Sequence, residues 1–278
     1  GHEKAVLDVA FDGNGSLVTC SGDGTIRYWP VGVPHPTVRL GHIEGTYRTL
    51  HPVASHDGLQ VLYSTHFQFV RLCDVALSRI SEHDRTWPVS DRHTPLAMLQ
   101  DGRAITQDKV TTEVVIWKMQ DGEMVEQQRL SAHCPNSMHN GGTRSGALSQ
   151  DEKHLAGVMN RWLFSVDLER GTMVWSGSPE KASSSFAGHA ISPDGKWIAS
   201  SDFGPEVTIH PFAAPEKIVA TLSGGPHAYD TAVAFSRDGR HLYVGNEDGS
   251  IHVWDTATWR EIPESSWQAH LSAVTAIA

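Results

Sequence analysis

The sequence is poor in cysteine, in positive charge and in long apolar runs, and each shortage removes a class of function. Three cysteines occur in 278 residues, namely Cys20, Cys73 and Cys134. An odd, widely spaced set is not a disulfide framework and favours a reducing compartment, so the expected location is cytoplasmic. Lysine and arginine number 22 against 32 Asp and Glu, a net charge of −10. That sign opposes the phosphate neutralisation that dominates nucleic-acid affinity, and it disfavours an anionic membrane surface as well. No uninterrupted apolar run approaches the roughly 20 residues needed to cross a bilayer. Phosphate-binding loops are missing too: neither G-x-x-x-x-G-K-[ST] nor G-x-G-x-x-G followed by a helix occurs. No nucleic acid, no membrane and no cofactor is therefore expected as a partner.

What the sequence does contain is turn chemistry and repetition. With 25 Gly, 14 Pro and a hydrophobic share of 39%, the chain has enough apolar residues for a core cut into many short elements. Six stretches read as strands of one kind: TIRYWP, FVRLCD, EVVIWK, WLFSVD, EVTIHP and SIHVWD. Their penultimate residues are Trp29, Cys73, Trp117, Val166, His210 and Trp254, spaced by 44, 44, 49, 44 and 44. An apolar residue closes an earlier strand in every repeat: Phe11, Ala54, Leu99, Leu148, Ile191 and Phe235, each 18 or 19 residues before the strand end. Self-similarity at such a period marks a repeat architecture. SHDG, QDG, SQDE, SPDG and SRDG follow the second landmark, with DGNG in the first repeat, and these are hairpin turns. A second Asp-Gly turn in LVTCSGDGTIRYW and HLYVGNEDGSIHVW gives three strands, a, b and c. A fourth, d, follows at residues 37–40, 124–130, 217–222 and 258–262.

With Gly1-His2, Asp23-Gly24 and Trp29 in the first repeat and SRDG, Asp248-Gly249 and Trp254-Asp255 in the sixth, the chain resembles the WD40 family, whose repeat folds as a four-stranded propeller blade. The resemblance implies an all-β fold, a single WD40-type β-propeller domain over 1–278 with six complete blades plus strand a of a seventh. The ring is then incomplete, which points to an excerpt of a longer chain. It also implies a buried hydrogen-bonded set in each intact blade: a strand-c Trp, a strand-b Ser or Thr, the His of a GH pair and an Asp of the b–c turn. By position these are Trp29, Thr19 or Ser21, His2 and Asp23 in the first repeat. The sixth has Trp254 and Asp248, with His227 a loose candidate, but Val244 and Asn246 stand where Ser or Thr belongs. Cys73, Val166 and His210 replace the strand-c Trp elsewhere, so blades two, four and five are expected to rest on packing. Gly188-His189 imitates the GH pair yet falls inside strand a.

Chemistry-bearing motifs are few. His133, Cys134 and His139 share a loop, but zinc sites show tighter paired spacing and a fourth ligand, so no metal is expected. GTRSG at 142–146 puts Ser145 one position late for a nucleophile elbow. Asn14-Gly15-Ser16 matches a glycosylation sequon but reads more simply as a turn. The wider spacing of 49 places extra residues in the d–a loop at 131–145, and the preceding d–a loop at 81–95 is also long and polar. In a WD40 fold both share a face with the b–c turns. The expected contact patch is Arg85, Trp87, Arg92, His93, His139, Arg144 and Tyr229, with Phe203 and Glu247 from b–c turns, because exposed aromatics and Arg on rigidly held loops dominate interfaces. Trp87 can alternatively cover a blade edge. The resulting expectation is a non-catalytic protein–protein interaction scaffold, a module of a larger signalling or regulatory protein. The alternative is a propeller enzyme or small-ligand or metal binder using the axial channel.

Overall fold

A computed structural model describes the chain except at residues 1, 5, 13, 33–37, 43–51, 56–59, 66–68, 75–92, 109, 122, 133–145, 160–161, 177–185, 203–205, 224–231, 271–273, 275–276 and 278. Each sequence repeat becomes one antiparallel sheet with its strands in chain order. Strands a to d are Val6–Phe11, Leu17–Ser21, Thr25–Trp29 and Val38–His42 in the first repeat. In the third they are His93–Met98, Ala104–Asp108, Val114–Gln120 and Glu123–Leu130. Gly146–Leu148, His154–Met159, Trp162–Asp167 and Thr172–Trp175 form the fourth sheet, and Phe186–Ile191, Trp197–Asp202, Glu206–Pro211 and Ala220–Ser223 the fifth. The sixth has Ala232–Phe235, His241–Gly245, Ser250–Asp255 and Arg260–Glu261, and strand c also pairs with Trp267–Gln268.

Five sheets thus have four or more strands, while the second repeat shows three, Val53–Ala54, Gln60–Thr65 and Phe69–Asp74. The position of its strand d, within 75–92, lies outside the described residues. In the fifth repeat strand d begins at Ala220 rather than 217, because Lys217 N–H turns back to Ala214 O at 3.0 Å and only Val219 N–H, on Ile209 O at 2.9 Å, rejoins strand c. Among the described residues the one helical element is a short 3-10 turn, Pro263–Ser265, and no helix is long and apolar enough to cross a membrane.

The a–b turns show why the S-x-D-G sequences fold as they do. Ser149, Ser192 and Ser236 each donate Oγ–H to the Asp two residues on, at 2.6, 2.7 and 2.6 Å. The same oxygens accept the N–H of His154, Trp197 and His241 at 3.0, 2.9 and 2.9 Å. Asp12 does both jobs in the first repeat, accepting from Asn14 N–H at 2.9 Å and Ser16 N–H at 2.8 Å. The last turn residue is left-handed, at φ +68° for Gly195 and +71° for Gly239; in the fourth repeat Glu152 takes that conformation at +56°, which costs a side-chain-bearing residue about 1–2 kcal/mol.

Two compact parts are distinguished, Gly1–Leu130 and Ser131–Ile277. Within the first, Val53 of the second repeat packs on Met98, Ala104, Val115 and Trp117 of the third. Within the second, Ala199, Val207 and Ile209 of the fifth repeat meet Leu242, Val244 and Trp254 of the sixth. The opposite face of the fifth sheet, Ile198 and Phe212, meets Ala156, Val158 and Leu163 of the fourth. Period-two alternation therefore buries both faces of these sheets, and a fully buried side chain such as Phe164 contributes about 1.5–3 kcal/mol relative to exposure.

Candidate functional site

The most highly organised polar groups are the sets that tie strands together. In the first repeat Trp29 Nε1–H donates to Thr19 Oγ1 at 2.8 Å. Having accepted that proton, the Thr19 hydroxyl directs its own to His2 Nε2, 2.7 Å away. His2 therefore carries its proton on Nδ1, which faces Asp23 Oδ2 at 3.1 Å and Thr25 Oγ1 at 3.0 Å. The relay ends on a carboxylate that also accepts from Thr25 Oγ1–H at 2.6 Å and Glu3 N–H at 2.9 Å. Burial works against the Asp23 charge, yet the bonds from Thr25, Glu3 and His2 more than offset it and hold the carboxyl well below its usual range. Of the two alternatives at the strand-b position, Thr19 is the bridge. Ser21 instead donates to Lys4 O and accepts from Asp23 N–H, both at 3.1 Å.

The third repeat repeats this arrangement with the imidazole reversed. Trp117 Nε1–H donates to Thr106 Oγ1 at 2.8 Å, and Thr106 meets His93 Nδ1 at 2.8 Å. His93 Nε2 then faces Asp108 Oδ2 at 3.8 Å, an electrostatic contact too long for a direct hydrogen bond. Asp108 also lies 3.9 Å from Arg129, which is paired with Glu113 at 2.8 Å and Glu126 at 2.7 Å. His93 is strand a's first residue and the register partner of Asp108. With 7% of its surface exposed, it cannot serve the contact patch to which the sequence assigned it. Its place in the sequence resembled the end of a polar loop; the strand begins there because its side chain has a buried partner.

In the fifth repeat His210, at the strand-c Trp position, does not leave the sheet to packing alone. Its Nδ1 meets Pro215 O at 2.8 Å and its Nε2 meets Thr208 Oγ1 at 2.9 Å. Burial pushes its pKa down. Ser200, in register where Thr19 and Thr106 stand, then has a hydroxyl that meets no partner among the described residues. The sixth repeat shows the converse. Trp254 is paired with Leu242 in register, so Val244 faces the indole where a hydroxyl is needed. Trp254 Nε1 is buried without a partner among the described residues. Asp248 organises the turn, accepting from Ser250 N–H at 2.8 Å and Oγ–H at 2.6 Å.

The sequence model of the family described as "WD domain, G-beta repeat" matches residues 1–30 and 217–255, the same two stretches that hold Trp29 and Trp254. Over those two stretches the chain matches the WD40 repeat, within sheets arranged like the blades of a propeller. It is also similar to a 66 kDa stress protein of Physarum polycephalum, 28% identical over 88 residues, which is 32% of this chain and 14% of that protein. The chain therefore covers only a small fraction of that relative's length.

WD40 propellers are typically non-catalytic and mediate protein interactions. Of the contact residues expected from the sequence, Glu247 is exposed on the b–c turn of the sixth repeat. Arg85, Trp87, Arg92, His139, Arg144, Phe203 and Tyr229 lie outside the described residues, as do His133, Cys134 and His227. Among the described residues no group of three or more His, Cys, Asp or Glu is placed to hold a metal ion. Gly188-His189 falls inside strand a, as its place in the 44-residue frame implies.

Proposed function

We propose that the chain is a non-catalytic scaffold for protein–protein interaction, a module of a larger signalling or regulatory protein acting in the cytoplasm. The observation that supports it is where the acid–base side chains are engaged. His2, Asp23, His93 and His210 all have hydrogen-bond partners inside blades, so they fix strands rather than face a substrate. In this reading the contact lies on the two long d–a connections, the first ending at residue 92 because strand a begins at His93, the second at 131–145. The contact patch in this reading is Arg85, Trp87, Arg92, His139, Arg144, Phe203, Tyr229 and Glu247, with His93 removed.

The architecture in this reading is a single propeller domain over 1–278, with six blades and strand a of a seventh. Val274 supports the last element: it is buried, its N–H donates to Asn246 O at 3.0 Å, and it lies where a Cβ on Gly245 would stand. The fifth and sixth blades also pack face to face at their inner strands.

The test is affinity capture from native lysate with the natural full-length protein and with its Trp87→Ala, Arg92→Ala double variant, both checked for folding by circular dichroism. A partner held by the first and lost from the folded second supports the reading and its location. Equal capture by both moves the contact elsewhere. A small molecule or metal that co-purifies in place of a protein overturns the scaffold reading.

A further inference from the structure

The a–b turn of blade one holds Asn14 followed by Gly15, and both are exposed. We infer that Asn14 is a site of spontaneous covalent modification, in which the Gly15 backbone nitrogen attacks the Asn14 side-chain carbonyl and converts the residue to aspartate and isoaspartate. The bond that forms joins Gly15 N to Asn14 Cγ, and the bond that breaks is Cγ–Nδ2. Ammonia leaves with the amide proton of Gly15, giving a five-membered cyclic imide. Water then adds to either ring carbonyl, and the ring opens to an ordinary or a β-linked aspartyl residue. No oxidant or cofactor enters.

Three features favour the step at this turn. Gly15 has no Cβ to obstruct ring closure; its φ of +82° also makes it a position where other residues are strained. The attacking nitrogen donates to Asp12 O at 3.1 Å, near the long end for N–H···O. Solvent reaches both residues, so hydroxide can remove the amide proton. The consequence is local. Asn14 N–H and Ser16 N–H both donate to Asp12 Oδ1, and an isoaspartyl linkage inserts an extra main-chain carbon between these two donors. It also places a new carboxylate beside buried Asp12, whose other oxygen accepts from Tyr28 O–H at 2.8 Å.

The test is incubation of the folded, natural full-length protein in mildly alkaline buffer, followed by peptide mapping and isoaspartyl methyltransferase labelling. The peptide holding Asn14 is expected to gain about one dalton, to split into two isomers and to take up label. The Asn14→Ala variant is expected to show none of these at that peptide. An Asn14 peptide that stays unchanged in the folded chain, whether or not the excised peptide reacts under the same conditions, overturns the inference. The second Asn-Gly pair, at 140–141, falls in a different peptide and is scored separately.

Discussion

Replacing Thr106 by valine is the sharpest probe of how these blades are held. The two side chains have nearly the same shape, so the change leaves almost no cavity and isolates the hydroxyl. That hydroxyl is fully buried and bonds both Trp117 Nε1 and His93 Nδ1, each at 2.8 Å. Its removal takes this hydrogen bond from two buried polar atoms, and at about 1–3 kcal/mol for each the expected loss is about 2–6 kcal/mol. Urea unfolding, followed in parallel by circular dichroism and tryptophan fluorescence, reads this as a lower midpoint at unchanged slope. A double-mutant cycle with Trp117→Phe removes the indole donor first. In that background Thr106→Val is expected to cost at least about 1 kcal/mol less, because one of the two bonds it removes is already gone. A loss under about 0.5 kcal/mol in the parent chain, the size of an ordinary surface change, would refute the assignment of this hydroxyl as the bridge of the set.

Two further outcomes follow from the same geometry. Val244→Thr supplies the acceptor that Trp254 Nε1 lacks, so the usual penalty for a buried hydroxyl is expected to be offset. Denaturant midpoints should show the change to be more favourable beside Trp254 than in a Trp254→Phe background, by about 1 kcal/mol, and no difference between backgrounds would sink the idea. Asp23 has a depressed folded pKa, so its stabilising contribution is complete above the unfolded carboxyl value near 4 and is lost as pH falls through the lower folded value. The stability gap between the natural chain and Asp23→Asn should therefore be constant at neutral pH and shrink below about pH 4; a gap that ignores acid argues against the charge.

The strands were readable because a rigid period leaves little freedom: strand-c ends at Trp29, Cys73, Trp117, Val166, His210 and Trp254 all fall in strands. Val244 and Asn246 in the places of Ser or Thr already marked the set of the sixth repeat as incomplete. What the sequence hid was blade three. Thr106 precedes Trp117 by 11 residues, against 10 from Thr19 to Trp29, so the two sets differ in spacing. His93 begins strand a instead of preceding it in a GH pair. A buried histidine at a strand start and an exposed one at a loop end have the same letters around them, and only the register with Asp108 separates them. His210 was hidden for another reason: its partner Pro215 O is a backbone atom, which no side-chain pattern announces.

Chains made of similar repeats risk pairing a strand with the wrong sheet while they fold, since the apolar pattern is nearly the same everywhere. The polar sets differ where the apolar pattern does not. One blade engages its histidine through Nε2, another through Nδ1, a third replaces the indole with imidazole and a fourth has an indole facing valine. A strand borrowed from a neighbouring repeat, or slipped by one residue, would bury a hydroxyl, an imidazole or a carboxylate against hydrocarbon. Each set therefore serves as a password for its own sheet, penalising exchange between repeats that hydrophobicity alone would tolerate.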